Sequence, residues 1–598
     1  MRVFKSFKIA LKLDALILPP LSFRSSIARF STSLGAPKFP RTTRPPLILS
    51  TKSMASSISS PKPVVQVKDK IELTEIEEKI FNRLLGTLRH FNLETQLRVA
   101  GGWVRDKLLG KDCYDIDIAL DNMLGSEFVD KVREYLLTVG EEAQGVAVIP
   151  CLEAIPNFEL CFSSNPEQSK HLETARMRIF DIWIDFVNLR CEEYSENSRI
   201  PTKQKFGTAE EDAYRRDLTI NSLFYNINSS LVEDMTKRGI SDLKFGKIVT
   251  PLPPKATFMD DPLRVLRAIR FCARFEFTLD EELKVAASCE EVKAALAAKI
   301  SRERIGVEID LMMAGNQPVK AMSYICDLTL FWTVFTLPSN TEPEIPDVCN
   351  RLCIACQEAT WNLLQLIKCV TFNDEQKRLS MYAALFLPIR KFTFKDKKSK
   401  KIPVVNHIFR ESLKRKVSDA ETVVQLHHAL EKFLTLIPLL VSKEEIQPNG
   451  VDWGVDWGVD CADVPDTSRI RVLTGLLLRE IKDFWPVALL LATLLYPANV
   501  DYTEDLLNRR FELEKRKELF DVVYNEIVKL GLQNVWEVKP LVNGKEIMNI
   551  LQLKSGGPLV REWQQKILAW QLARPSGTFE ECQDWIRESH SKRVKLNE

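Results

Sequence analysis

At 598 residues the chain is long enough for several domains. Hydrophobic residues make up 45% and charged residues 27% of an ordinary globular mixture, and the net charge of +2 excludes a whole-chain polycation. A nucleic-acid partner would therefore have to meet a local basic surface. With no uninterrupted apolar run of about 18 residues, no membrane span is expected.

Residues 1–63 differ from the rest. They are rich in Ser, Arg and Lys, and Asp14 is their only acidic residue. This composition is that of an organellar transit peptide, mitochondrial or chloroplast. The apolar stretch 10–21 is interrupted by Lys12 and Asp14 and ends in Pro19-Pro20. Initiation at Met54 would give a protein without the leader, placing cytoplasm and nucleus beside the organelle. A short basic run at the other end, Ser591-Lys592-Arg593-Val594-Lys595-Leu596, has the character of a nuclear import signal or a solvated tail.

Order is expected from Thr74, which with Glu77 makes a capping box, while Ile80, Leu84 and Leu88 trace a helical face. Residues 96–100 read as a strand running into Gly101-Gly102. Residues 115–120 read as a second strand with Asp115, Asp117 and Ala119 on one face and Ile116, Ile118 and Leu120 on the other. The β-prone stretch 171–189 reads as one or two antiparallel strands. After about Asp212 the pattern turns helical and stays so. The expected class is α+β: a small head with a mixed or antiparallel sheet, then an elongated all-α neck, body and tail. The boundaries are a leader at 1–63, a catalytic head at 70–232, a neck at 233–330, a body at 331–530 and a tail at 531–598.

The thirteen Cys are scattered and read as reduced thiols of an intracellular protein. Cys349, Cys353 and Cys356 recur at helical spacing in an apolar stretch and read as buried rather than metal-binding. The lysine-rich stretch 395–401, with Arg410, Lys414, Arg415 and Lys416, reads as a phosphate-contacting or merely solvated surface. The repeated Val-Asp-Trp-Gly at 451–460 reads as a loop without chemistry. Trp563 and Trp570 read as core.

The chemistry concentrates in Gly101-Gly102-Trp103-Val104-Arg105-Asp106 followed by Asp115-Ile116-Asp117. Glycines between a strand and a helix let backbone N–H groups approach a triphosphate without Cβ interference, and the helix start favours negative charge. Arg105 lies where it can reach a phosphate or stabilise the loop. Two carboxylates two residues apart on a strand converge on one point and suit a hard divalent cation, Mg²⁺.

This pattern resembles the nucleotidyltransferase superfamily of DNA polymerase β, and within it the class II tRNA nucleotidyltransferases of the eukaryotic, plant-like branch. The resemblance covers residues 74–309 motif by motif and the helical remainder more loosely. It implies a third metal-site carboxylate from a neighbouring strand, Asp185 or Asp181. It implies that Arg215-Arg216-Asp217-Leu218-Thr219-Ile220-Asn221 recognises ribose, with Arg216 on phosphate and Asp217 and Asn221 on sugar hydroxyls. Asp260-Asp261-Pro262-Leu263-Arg264 resembles the family's amino-acid template motif, with Asp260 where Glu is usual. There Asp261 would accept a hydrogen bond from the exocyclic amine that C and A share, and Arg264 would donate to the ring nitrogen. G and U would set a carbonyl oxygen against the carboxylate. Arg267 and Arg270 would then hold the triphosphate. Residues 233–243 resemble the hinge between head and neck. Glu303-Arg304 and Glu308 resemble a neck motif, read as an ion-pair scaffold for the template helix.

The implied activity is addition of C, C and A to the 3′ end of tRNA from CTP and ATP without a nucleic-acid template. A bacterial-type poly(A) polymerase carries the same motifs, as does a split enzyme adding only C or only A. A catalytically inactive RNA-binding homologue is a reading that the intact Asp115/Asp117 pair disfavours.

Overall fold

Thr74 caps the first helix as its spacing predicts: its side chain accepts the Glu77 N–H, and the Glu77 carboxylate takes the Thr74 N–H in return. In the computed structural model the described residues are 65–141, 144–150, 173–193, 203–442, 465–553 and 555–597, and residues 63–598 form one compact unit. The expected leader with Met54 and the repeat at 451–460 lie outside the described residues.

The head elements follow in chain order. They are α1 (Glu75–His90), β1 (Leu97–Ala100), α2 (Gly102–Leu108), β2 (Ile116–Leu120), α3 (Gly125–Thr138), β3 (Gln144–Pro150), β4 (Glu173–Ile179), β5 (Ile182–Asn188), β6 (Arg190–Glu193), β7 (Lys203–Phe206), α4 (Ala209–Tyr214), β8 (Leu223–Asn226) and β9 (Leu231–Asp234). Seven strands form one mixed sheet in the order β3-β4-β5-β2-β1-β8-β9. Only β2 and β5 run parallel, and the remaining neighbours are antiparallel. The β6–β7 ribbon stands apart.

Alternation sorts the two faces. Ile116, Ile118 and Leu120 of β2 and Ile184 and Phe186 of β5 pack with α1 and α3 in the main core. Ala100, Ala119 and Phe224 line the other face beside Asp117.

The stretch 171–189 thus becomes a two-stranded hairpin. The reading that structure turns helical after Asp212 is corrected, because β8 and β9 complete the sheet and carry the head past residue 232. The physical reason lies in burial and length. All four residues of β8 are buried, so no alternation marks it, and four residues are too short for periodicity to choose a strand.

Beyond the sheet come α5 (Gly239–Phe245), α6 (Pro254–Asp260), α7 (Leu263–Phe275), α8 (Glu281–Ala287), α9 (Glu290–Lys299) and α10 (Arg302–Met313), and then further helices to residue 597. Asp310 of α10 ties neck to body. It accepts hydrogen bonds from Arg378 (2.7 Å), Arg415 (2.7 Å) and the Tyr382 hydroxyl (3.2 Å), and Arg378 also reaches Asp419 (2.9 Å). Arg415 therefore has a structural partner, while the lysine stretch forms the exposed tip of a hairpin between Thr393–Lys395 and Lys401–Pro403. Cys349, Cys353 and Cys356 are buried in one helix. Trp563 and Trp570 are buried in a separate small core of the tail with Ile547, Ile567 and Ile586. Among the described residues no helix is long and apolar enough to cross a membrane.

Candidate active site on the open face of the sheet

The end of β1 carries the backbone feature the sequence implied. Gly101 has φ +71° and ψ −117°, a conformation that a side chain would strain, and its N–H donates to the Leu223 carbonyl (2.9 Å). A Cβ on Gly101 would stand 2.9 Å from the Arg216 guanidinium. The missing side chain is therefore what lets Arg216 lie against the turn. Gly102 opens α2 with ample space around it, the nearest atom to a Cβ being on Arg105 at 3.6 Å.

The parallel register of β2 and β5 sets Asp117 level with Asp185. Adjacent strands lie about 4.8 Å apart, so the two carboxylates are neighbours on one face, with Asp115 at the entry to β2. Asp181 is placed elsewhere: it sits in the turn between β4 and β5 at φ +64°, paired with Arg178 at 3.2 Å in solvent. Burial pushes the Asp117 carboxyl up to about 7, Asp115 and Asp185 add to this by repulsion, and Arg216 and Arg176 partly oppose it. Asp185 is itself gripped by Arg176, whose Nε and Nη2 reach its two oxygens at 2.5 and 2.9 Å. Among the described residues no three His, Cys, Asp or Glu side chains converge closely enough to enclose a metal ion. The donor set is nonetheless all oxygen and crowded with like charge, which is the chemistry a hard divalent cation relieves.

The Arg-Arg-Asp segment follows α4, and its organiser is a residue sequence reasoning missed. Asp212, 1% exposed, accepts from Arg215 Nε (2.9 Å) and from Arg216 Nε and Nη2 (2.9 and 2.8 Å). Burial opposes its charge, but Arg216 and Arg215 more than offset this and hold the carboxyl at about 2. The available signal was spacing: Asp212 lies three and four residues before the arginines, within reach on a helix.

Asp217 accepts from Asn221 Nδ2 (3.0 Å) and Arg267 Nε (2.7 Å). Burial again opposes the charge, and chiefly Arg267 brings the carboxyl down to about 2. Asn221 in turn accepts from Arg105, which bonds Asp106 (2.8 Å) and lies 5.1 and 4.7 Å from the Phe271 and Phe275 ring centres. Arg274 closes the chain on Asp106 at 3.4 Å. Arg105 thus links the start of α2 to Asn221 and to the aromatic side chains of α7.

On α7 the stripe Leu263, Leu266 and Ile269 is buried. The arginines between them do not present free charges. Arg267 pairs with Asp217, Arg270 bonds Glu308 of α10 (2.6 Å), and Arg264 donates to the Arg215 carbonyl (2.7 Å). Asp261 accepts the Leu263 N–H (3.1 Å) and lies 3.8 Å from Arg304. Arg304 and Glu308 thus brace the helix from the neck, across two helices rather than along one.

Replacing Asp212 by Ala leaves two guanidiniums without their shared partner, and a loss on the order of 3 kcal/mol is expected in urea unfolding at pH 7. Because the folded carboxyl is depressed from 3.8, the stabilisation is present above about pH 4 and is lost as pH falls through about 2. An Asp212→Ala midpoint equal to that of the parent at pH 7 would contradict this role.

The Poly A polymerase head domain family matches residues 97–249. The tRNA nucleotidyltransferase cca2 of Schizosaccharomyces pombe is 33% identical over 526 residues, covering 87% of this chain and 99% of its own length. The mitochondrial CCA tRNA nucleotidyltransferase of Saccharomyces cerevisiae is 33% identical over 549 residues, with 86% and 92% covered. Among solved structures, the CCA-adding enzyme of Bacillus stearothermophilus in complex with CTP matches with a TM-score of 0.54 at 17% identity, covering 88% of this chain and all of that one. At that identity the likeness is one of fold.

Proposed function

The chain belongs to the tRNA nucleotidyltransferase family, and on that premise we propose that it adds C, C and A to the 3′ end of tRNA. The RNA 3′-OH attacks the α-phosphate of CTP, again of CTP and then of ATP, and pyrophosphate leaves each time. The observation that carries this reading is the placement of Asp117 level with Asp185, with Asp115 close enough to repel Asp117, on the sheet face that the Gly101 turn and Arg216 also border.

Asp115 and Asp117 would hold a divalent cation, Mg²⁺, with Asp185 beside them to assist the attacking hydroxyl. The cation supplies activation of that hydroxyl and neutralisation of the leaving pyrophosphate. The protein's own groups do the rest. The open backbone at Gly101 and the Arg216 guanidinium take the triphosphate. Asp217 and Asn221 offer their remaining acceptors and donors to the ribose. Asp261 and Arg264 read the base edge. Arg267 and Arg270 act one step back: Arg267 sets Asp217, and Arg270 ties the template helix to Glu308.

The test is incorporation of labelled CTP, ATP, GTP and UTP into tRNA lacking its last three nucleotides. Ordered addition of two C and one A supports the assignment. Open-ended A addition without use of CTP would mark a poly(A) polymerase, and RNA binding with no incorporation would mark an inactive homologue.

We place the form that carries residues 1–63 in mitochondria, in line with relatives named as mitochondrial, or in chloroplasts. Initiation at Met54 gives the cytoplasmic and nuclear form. A fluorescent fusion beginning at Met54 that still enters organelles would overturn the role of the leader.

A further inference from the structure

One face of the sheet carries more than the carboxylates. Ile116 pairs with Ile184 and Asp117 with Asp185, and Asp115 immediately precedes β2. Across the next pair Trp183 faces Arg178 and Asp185 faces Arg176. Two rows therefore lie side by side on one face: Trp183 and Arg178, with Asp115 at the entry to β2 beyond them, and Asp117, Asp185 and Arg176.

Trp183 is 45% exposed, in a row whose other members are charged. Its indole extends toward β3, where Gly145 has φ +74° and a Cβ would stand 3.1 Å from Cη2. Glycine there clears the space the ring occupies. The Arg176 guanidinium lies 5.9 Å from the ring centre, held in place by Asp185. Among the described residues Arg178 pairs with Asp181 at 3.2 Å, and the Asp181 side chain is 78% exposed, so this contact holds it only weakly against a phosphate.

The sheet order assigns sides. β1 and β8, with Gly101, Arg216 and Asn221 at their ends, lie on one side of β2, while β5, β4 and β3 lie on the other. If the triphosphate occupies the first side, the attacking RNA end is left the second. We propose that Trp183 stacks on the base of the RNA's 3′-terminal nucleotide, with Arg176 and Arg178 beside its phosphates, so that the terminal hydroxyl is presented to Asp185. An indole face flanked by guanidiniums is how proteins hold a single-stranded base without regard to its identity. That tolerance suits a terminus that changes with each addition. This inference rests on the reading of the site as one that extends an RNA end.

The test is Trp183→Ala against truncated tRNA. The KM for tRNA should rise about tenfold or more while the KM for CTP stays unchanged, and Trp183→Phe should restore most of the loss. On tRNA whose terminal nucleotide lacks its base, the parent and Trp183→Ala should behave alike. Arg178→Ala should weaken RNA binding and flatten its salt dependence. Equal KM values for tRNA, or an effect falling on CTP instead, would overturn the proposal. A second readout needs no turnover: truncated tRNA should quench the parent's tryptophan fluorescence more deeply than that of Trp183→Phe, and equal quenching would also overturn it. If the extra quenching persists in a protein that adds no nucleotide, the functional reading fails and the platform stands. If ordered C, C, A addition occurs without it, the platform alone fails.

Discussion

Asp117→Asn is expected to lower nucleotide incorporation about a thousandfold or more while making the metal-free protein more stable. The activity loss follows from removing a charged oxygen ligand where a divalent cation would contribute several kcal/mol of transition-state stabilisation. The stability gain follows from the electrostatics of the unliganded site. Burial, with Asp115 and Asp185 alongside, raises the Asp117 carboxyl from 3.8 to about 7. A folded state that binds a proton more tightly than the unfolded state loses stability as pH rises between those values, and the loss is complete above about pH 7. A difference of that size corresponds to at most about 4 kcal/mol, with relaxation reducing it. Melting in chelator at pH 8 should therefore show Asp117→Asn above the parent, with the gap closing toward pH 4. Added Mg²⁺ should raise the parent more than the variant. Unchanged incorporation, or a lower melting temperature at pH 8, would count against Asp117 as a ligand.

The second large effect is on nucleotide choice. Asp261→Asn should leave the fold nearly intact and let UTP and GTP compete. Asp261 presents one carboxylate oxygen to the Leu263 N–H two residues on, a turn contact that Asn supports about as well as Asp. Its pair with Arg304, at 3.8 Å and partly in solvent, contributes little. On the proposed role, what changes is the edge offered to the base. A carboxylate only accepts, so it suits the amines of C and A and repels the carbonyls of U and G. An amide can turn its N–H₂ toward a carbonyl. Discrimination between CTP and UTP should fall by about a hundredfold or more, read as the ratio of kcat/KM values. An Asp261→Asn variant that is well folded, active and as selective as the parent would remove Asp261 from base recognition. Arg264 is the less tractable member of the pair, because its bond to the Arg215 carbonyl ties the template helix to the Arg-Arg-Asp segment.

Both effects fall on residues that the amino-acid order marks out by itself, and there is a physical cause for which features it marks. The capping box at Thr74, the alternation around Asp115 and Asp117, the glycine turn at Gly101 and the buried stripe on α7 are local. Each is set by torsions, hydrogen bonds or periodicity within about one turn or one strand, so neighbours along the chain determine it. Register and charge pairing are not local. Asp185 rather than Asp181 stands beside Asp117 because β5 pairs in parallel with β2 from a position far along the chain. Arg270 meets Glu308 from 38 residues away, Arg267 meets Asp217 from 50 and Arg274 meets Asp106 from 168, so each of these α7 arginines pairs with a carboxylate distant in the chain. A buried guanidinium needs a carboxylate, but sequence does not name which one; packing does. The same applies to β8 and β9, whose short segments become strands only because β1 offers them an edge. Residue type and local order thus set the chemistry that is available and the short-range shapes that carry it. Long-range packing selects which carboxylates stand together, and which arginine each of them meets.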